Sequence, residues 1–144
     1  MVTIKKVFFD ANIFNDIFDK DRKSHPDSNR AYLGALGKGM TVYTSCDIVT
    51  NIYYITAKYT TRENALDAIG FLKTSVSIIP FGEDELLDAI SLMREDGDYK
   101  DFEDCIQYIL ALNTQCDIIV TNDNNFVSKG VKCMRSEDFV KQFI

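Results

Sequence analysis

The 144-residue chain is poor in features that would assign its class at once. Long apolar runs are missing, and the start MVTIKKVFF has neither the apolar segment nor the small-residue cleavage site of a signal peptide. A soluble cytoplasmic protein with no membrane association is therefore expected. The four cysteines (Cys46, Cys105, Cys116, Cys133) show no CxxC spacing, and His25 is the single imidazole. This argues against a zinc site and against a disulfide framework, and it leaves buried free thiols as the expectation. His25, followed by Pro26 in the polar run DKDRKSHPDSN, reads as an exposed loop residue. An excess of positive charge is missing too. The formal charge of −6 speaks against a protein that coats nucleic acid generally, because phosphate neutralisation requires clustered Lys and Arg. It does not exclude a nuclease, since a carboxylate-rich metal pocket is itself a source of negative charge and a bound cation reverses its local sign.

The chain does contain enough apolar side chains for a core. With 46% hydrophobic residues and no repeat, low-complexity segment or linker, residues 1–144 read as one globular domain. Short apolar runs alternate with longer amphipathic segments. KKVFF (5–9), MTVYT (40–44), VSIIPF (76–81), DIIVT (117–121) and VKCM (131–134) are rich in β-branched and aromatic residues and read as strands. Helical patterns cover about 12–20, 28–38, 46–60, 62–74, 83–95, 101–115 and 136–143. Ser45, Thr61 and Ser136 stand where N-caps of three of them belong. Such alternation predicts an α/β domain, a three-layer α/β/α sandwich with a mostly parallel central sheet.

In parallel sheets, ligands collect where strands end and the chain leaves for a helix. Asp10 ends the first strand and Asp123 follows the fourth, while Asp101 and Asp104 share one face at the start of a helix. Each has a plain structural reading: an N-cap for Asp10, a turn for Asp123, a dipole match for the helix pair. Together they mean more, because acids gathered at one sheet edge repel one another unless a cation binds there.

FFDANIF, DFEDCIQYILAL and IIVTNDNNF, in that order and spanning nearly the whole chain, resemble the three signature blocks of PIN domains, metal-dependent ribonucleases that include VapC-type toxins. The resemblance implies a PIN-like fold in which Asp10, Asp104 and Asp123 hold Mg²⁺ or Mn²⁺, with Asp101 as an accessory acid and Thr121 and Asn12 as polar supports. Two positions depart from the pattern. Asn125 stands in TNDNNF where the family's TNDxDF has a second aspartate, and Asn51 stands on the helix after the second strand where an acid is common. An amide oxygen can ligate a hard cation but brings no charge. Asp47, four residues earlier, shares that helix face.

The implied chemistry is metal-assisted hydrolysis of RNA phosphodiesters, weakened by Asn51 or dependent on Mn²⁺. The implied partners are an RNA substrate, an antitoxin protein that covers the pocket, and a second copy of the chain as a homodimer. Lys20, Arg22, Lys23, Arg30, Lys58 and Arg62 are candidate phosphate contacts, and Tyr53, Tyr54 and Phe126 are candidate base-stacking side chains. The main rival is a PIN-fold domain that binds RNA or protein without turnover. A haloacid-dehalogenase-type phosphatase needs a second acid where Asn12 stands, and a phospho-receiver domain needs paired acids that FFDAN does not supply.

Overall fold

A computed structural model describes residues 3–144. Its elements follow in the order β1 (Lys6–Phe9), α1 (Ala11–Phe18), α2 (His25–Gly37), β2 (Thr41–Ser45), α3 (Cys46–Tyr59), α4 (Arg62–Ser75), β3 (Ser77–Ile79), α5 (Glu83–Glu95), α6 (Phe102–Asn113), β4 (Ile118–Val120), β5 (Lys132–Met134) and α7 (Ser136–Phe143). The strands form one sheet in the order β3-β2-β1-β4-β5, and every neighbouring pair is parallel. The expected α/β architecture is therefore present. Residues Val7 to Phe9 of β1 and Ile118 to Val120 of β4 are completely buried. Burial on both faces explains why these strands read as continuous apolar runs rather than alternating ones.

Strand order decides where a ligand can sit. From β1 the chain moves outward through β2 to β3, and β4 then returns to the other side of β1. Neighbouring connections diverge at that reversal and leave a crevice beyond the carboxyl ends of β1 and β4. The register aligns the two ends, with Phe9 opposite Val120. Asp10 and Thr121 are therefore the first residues past the paired strands, and the Asp10 N–H extends the ladder by donating to the Val120 carbonyl at 3.1 Å.

An aromatic cluster fixes the start of this crevice. Phe9 meets Phe14 of α1, Tyr32 of α2 and Phe139 of α7, with ring centroids 5.9, 6.3 and 6.2 Å apart. Three helices are thereby locked onto the strand that delivers Asp10. Elsewhere α5 packs on α6, and both α6 and α2 reach β2.

Some local expectations are corrected. Thr61 does cap α4, accepting from the Asn64 N–H at 3.0 Å. Ser45 occupies the N-cap position of α3 but turns its hydroxyl onto Asp47 instead. Ser136 lies inside the first turn of α7, where its hydroxyl donates to Asn122 at 3.1 Å, and Arg135 takes the cap position. His25 is not a loop residue: it opens α2, with Pro26 in the first turn where no intrahelical N–H is missed, and its Nδ1 donates to the Asp16 carbonyl at 2.7 Å. All four cysteines are free thiols, but only Cys105 and Cys116 are buried; Cys46 and Cys133 are partly exposed. Phe139→Ala should cost about 3–5 kcal/mol, read as a lower urea midpoint at unchanged slope.

Candidate active site

The site begins with one buried carboxylate. Asp10 is only 5% exposed and caps α1, its Oδ1 accepting from the Ala11 N–H at 2.6 Å. Oδ2 accepts from the Thr121 hydroxyl at 2.8 Å and from the Asn12 amide at 3.0 Å. The cap and the functional reading are thus compatible: capping fixes one oxygen while the other is held toward β4. Burial pushes the Asp10 carboxyl above its ordinary range, the bonds from Thr121 and Ala11 oppose that, and the charge of Asp123 adds to it.

Thr121 ties the end of β4 to the end of β1. Besides donating to Asp10, its oxygen accepts from the Asp123 N–H at 3.1 Å and from the Asn12 amide at 3.1 Å. Asp123 accepts from the Asn125 N–H at 2.9 Å, so the stretch TNDNNF folds into a tight turn. Asn125 takes part through its backbone.

The second half of the site comes from α6. Asp101 is its N-cap, accepting from the Asp104 N–H at 2.9 Å. Asp104 is half-buried, and its carboxyl is pushed up to about 7 by burial and then by the charges of Asp10, Asp101, Asp123 and Glu103. Glu103 is raised by burial and by Asp47, Asp10 and Asp101. On β5, Cys133 is pushed up to about 11, by burial first and then by the same three acids, Asp10, Asp104 and Asp123. The acids therefore act on one region from several elements. A cavity of about 600 Å³ opens there, and its lining includes Asp101, Asp104, Asp123, Asn125 and Phe126; Asp10 is buried and is not part of that lining.

No salt bridge among the described residues reaches any of these acids. The donor set is hard oxygen, uncompensated and mutually repelling, and so it fits a divalent cation of the Mg²⁺ or Mn²⁺ kind. The carboxylates are not closed around a common point, however. Among the described residues, no three His, Cys, Asp or Glu side chains stand close enough to grip an ion together. Asp10 and Asp123 spend oxygens on neighbouring N–H and O–H donors instead.

The remaining candidates lie elsewhere. Asn51 is exposed and accepts from the Asn15 amide at 3.2 Å; it does not line the acid cavity. From the same helix, the charge of Asp47 does reach Glu103. Tyr54 is exposed, while Phe126 is buried in the cavity wall. Two residues went unnoticed in the sequence. Gln107 is fully buried, donating to Glu103 at 3.3 Å and helping to lower the Asp10 carboxyl, with its own Oε1 unpartnered. The spacing of Glu103 and Gln107 at i and i+4 on α6 was the available signal.

The PIN domain family model matches residues 7–132. The chain belongs to the PIN domain family. Ribonuclease VapC1 of Aquifex aeolicus (strain VF5) is 37% identical to this PIN domain over 139 residues, 96% of each chain. Among solved structures, Mycobacterium tuberculosis VapC20, described as a sarcin-ricin loop cleaving toxin, superposes with a TM-score of 0.69 at 16% identity, covering 83% of this chain and 92% of its own. VapBC2 from Rickettsia felis, bound to a DNA fragment from its promoter, gives 0.63 at 16% identity over 90% and 98%. At such identities these two show a shared fold.

The raised carboxyls set a pH dependence. Asp104 has an ordinary value of 3.8 and a folded value of about 7, so between these the unfolded chain gives up its proton first. Without divalent metal, stability should fall as pH rises from about 4 to about 7 and then level off. Asp104→Asn should flatten this slope in thermal unfolding with EDTA; an unchanged slope would mean that the acids do not strain one another.

Proposed function

We propose that this PIN domain is a metal-dependent endoribonuclease of the VapC kind, acting as the toxin of a toxin–antitoxin pair. The observation that carries the reading is the uncompensated acid group at the β1/β4 crevice, in a chain 37% identical to a ribonuclease over nearly its full length. Asp10, Asp104 and Asp123 are the residues that would hold Mg²⁺ or Mn²⁺. Bound there, the ion supplies Lewis-acid polarisation of a phosphodiester and a lowered pKa for water.

The chain's own groups have separate tasks. Thr121 and Asn12 orient Asp10 through its Oδ2. Asp104, with its carboxyl pushed up to about 7, is partly protonated near neutrality, so cation binding should release protons. Asp101 holds the first turn of α6 so that Asp104 faces the cavity, and its charge adds to the field there. Asn51, whose oxygen is taken by Asn15, has no task at the acids, while Asp47 brings the negative charge of that helix toward Glu103. Phe126 forms an apolar wall against which a base can rest. An antitoxin that covers the pocket and a homodimeric assembly belong to the same reading.

The test is cleavage of a mixed RNA pool. Wild-type protein should cleave with Mn²⁺ or Mg²⁺ and stop with EDTA, and Asp10→Asn should fall to the EDTA background. Thr121→Val, which keeps the shape and removes the bond to Asp10, should lose about 10–100-fold. Equal, metal-independent traces in wild type and Asp10→Asn would favour a binding domain without turnover.

A further inference from the structure

A second cavity, of about 360 Å³, lies beside the acid site and carries the opposite charge. Its lining includes Arg22, Lys23 and Arg135 together with Asn12 and Asn122. In a chain of net charge −6, three cations around one hollow are a local reversal. Asp16 also lines it, but that carboxylate is 4% exposed and already used. Its Oδ1 accepts from Arg22 Nε at 2.9 Å, and its Oδ2 accepts from the Ser28 hydroxyl at 2.8 Å and the Asn122 amide at 3.0 Å. The cavity thus keeps a positive excess.

The two arginines are held by one part of each guanidinium. Arg22 bonds through Nε, leaving its terminal nitrogens for a ligand. Arg135 donates from one terminal nitrogen to the Asn122 carbonyl at 2.7 Å and to Asn124 at 2.8 Å, leaving its other donors. Forks fixed this way are organised in advance for a tetrahedral oxyanion. Lys23 is exposed and adds a mobile point charge. Helix α2 starts at the same rim, where Ser24 makes no side-chain cap.

The link to the acids is short. Asn12 lines this cavity and donates to Asp10, while its amide oxygen accepts from the Asn122 N–H at 3.0 Å. Asn122 of this lining and Asp123 of the acid cavity are consecutive residues. We propose that the cavity lined by Arg22, Lys23 and Arg135 is a phosphate subsite that holds a phosphodiester of single-stranded RNA next to the one lying over the acids. This assignment rests on the ribonuclease reading and adds to it where the strand is gripped. It also selects among the basic residues: Arg22 and Lys23 belong to the subsite, Arg135 joins them, and Lys20 and Arg30 lie outside its lining.

The test uses full-length protein in EDTA, so that no turnover occurs, and a fluorescent single-stranded RNA followed by anisotropy between about 50 and 200 mM salt. Lys23→Glu should weaken binding about tenfold at the low end and reduce the log–log salt slope by about 0.7. Lys23→Ala should fall between it and wild type. Lys38→Glu carries the same charge change at the other end of α2, about 20 Å away, and should shift affinity less than about twofold at matched salt. Equal weakening by Lys23→Glu and Lys38→Glu, or none by either, overturns the subsite. A wild type that cleaves RNA with Mn²⁺ but binds independently of Lys23 refutes the subsite and leaves the ribonuclease standing. A wild type that neither binds nor cleaves refutes both.

Discussion

The arrangement depends on keeping a carboxylate in place at the end of a buried strand. Burying an ionised group is costly unless its oxygens find donors, and Asp10 meets that requirement from three directions: its own helix, its neighbour Asn12, and Thr121 just past the adjacent strand. The last of these requires the parallel register that sets Phe9 opposite Val120. A slip of one residue would turn Asp10 toward the opposite face of the sheet and separate it from Thr121. The aromatic cluster around Phe9 therefore serves more than stability, because it fixes the strand whose next residue carries the charge.

Repulsion is the second constraint. Burial penalises the charged form of Asp104, and repulsion from four neighbouring acids adds to the penalty, so the group is strained as it stands. A fold selected for stability alone would place a lysine or arginine among them. Every salt bridge among the described residues lies elsewhere, at Asp16, Glu63, Asp96, Asp98 and Glu137. Local rules broken without internal compensation mark the places where a fold serves chemistry.

Much of this was legible in the sequence. β-branched and aromatic runs located the five strands to within a residue or two at most ends, and the acids at strand ends pointed to the crevice. What failed was side-chain choice among several available bonds. Ser45 and Ser136 have the chemistry of caps, but tertiary partners, Asp47 and Asn122, compete for their hydroxyls. His25 and Pro26 were obscured by the polar run around them, although proline in a first turn is itself a start signal. Gln107 was hidden for another reason: in a helix so fully buried, a polar residue shows its role only when its neighbours across the sheet are known.

Asn122 shows how the two oppositely charged hollows coexist. Its amide nitrogen donates to Asp16 and Ser28, its amide oxygen accepts from the Ser136 N–H and hydroxyl, and its carbonyl holds Arg135. Only a neutral group with both donors and acceptors can make that set. An aspartate there would lose both donations and set a second carboxylate against buried Asp16, which would draw Arg22 and Arg135 into internal pairing and take them from any ligand. A residue such as lysine would compete for Asp16 and release Arg22, at the cost of an unsatisfied Ser136 N–H. Between Thr121, which belongs to the acids, and Asp123, which is one of them, the amide at 122 is thus what keeps the positive cavity open to a phosphate.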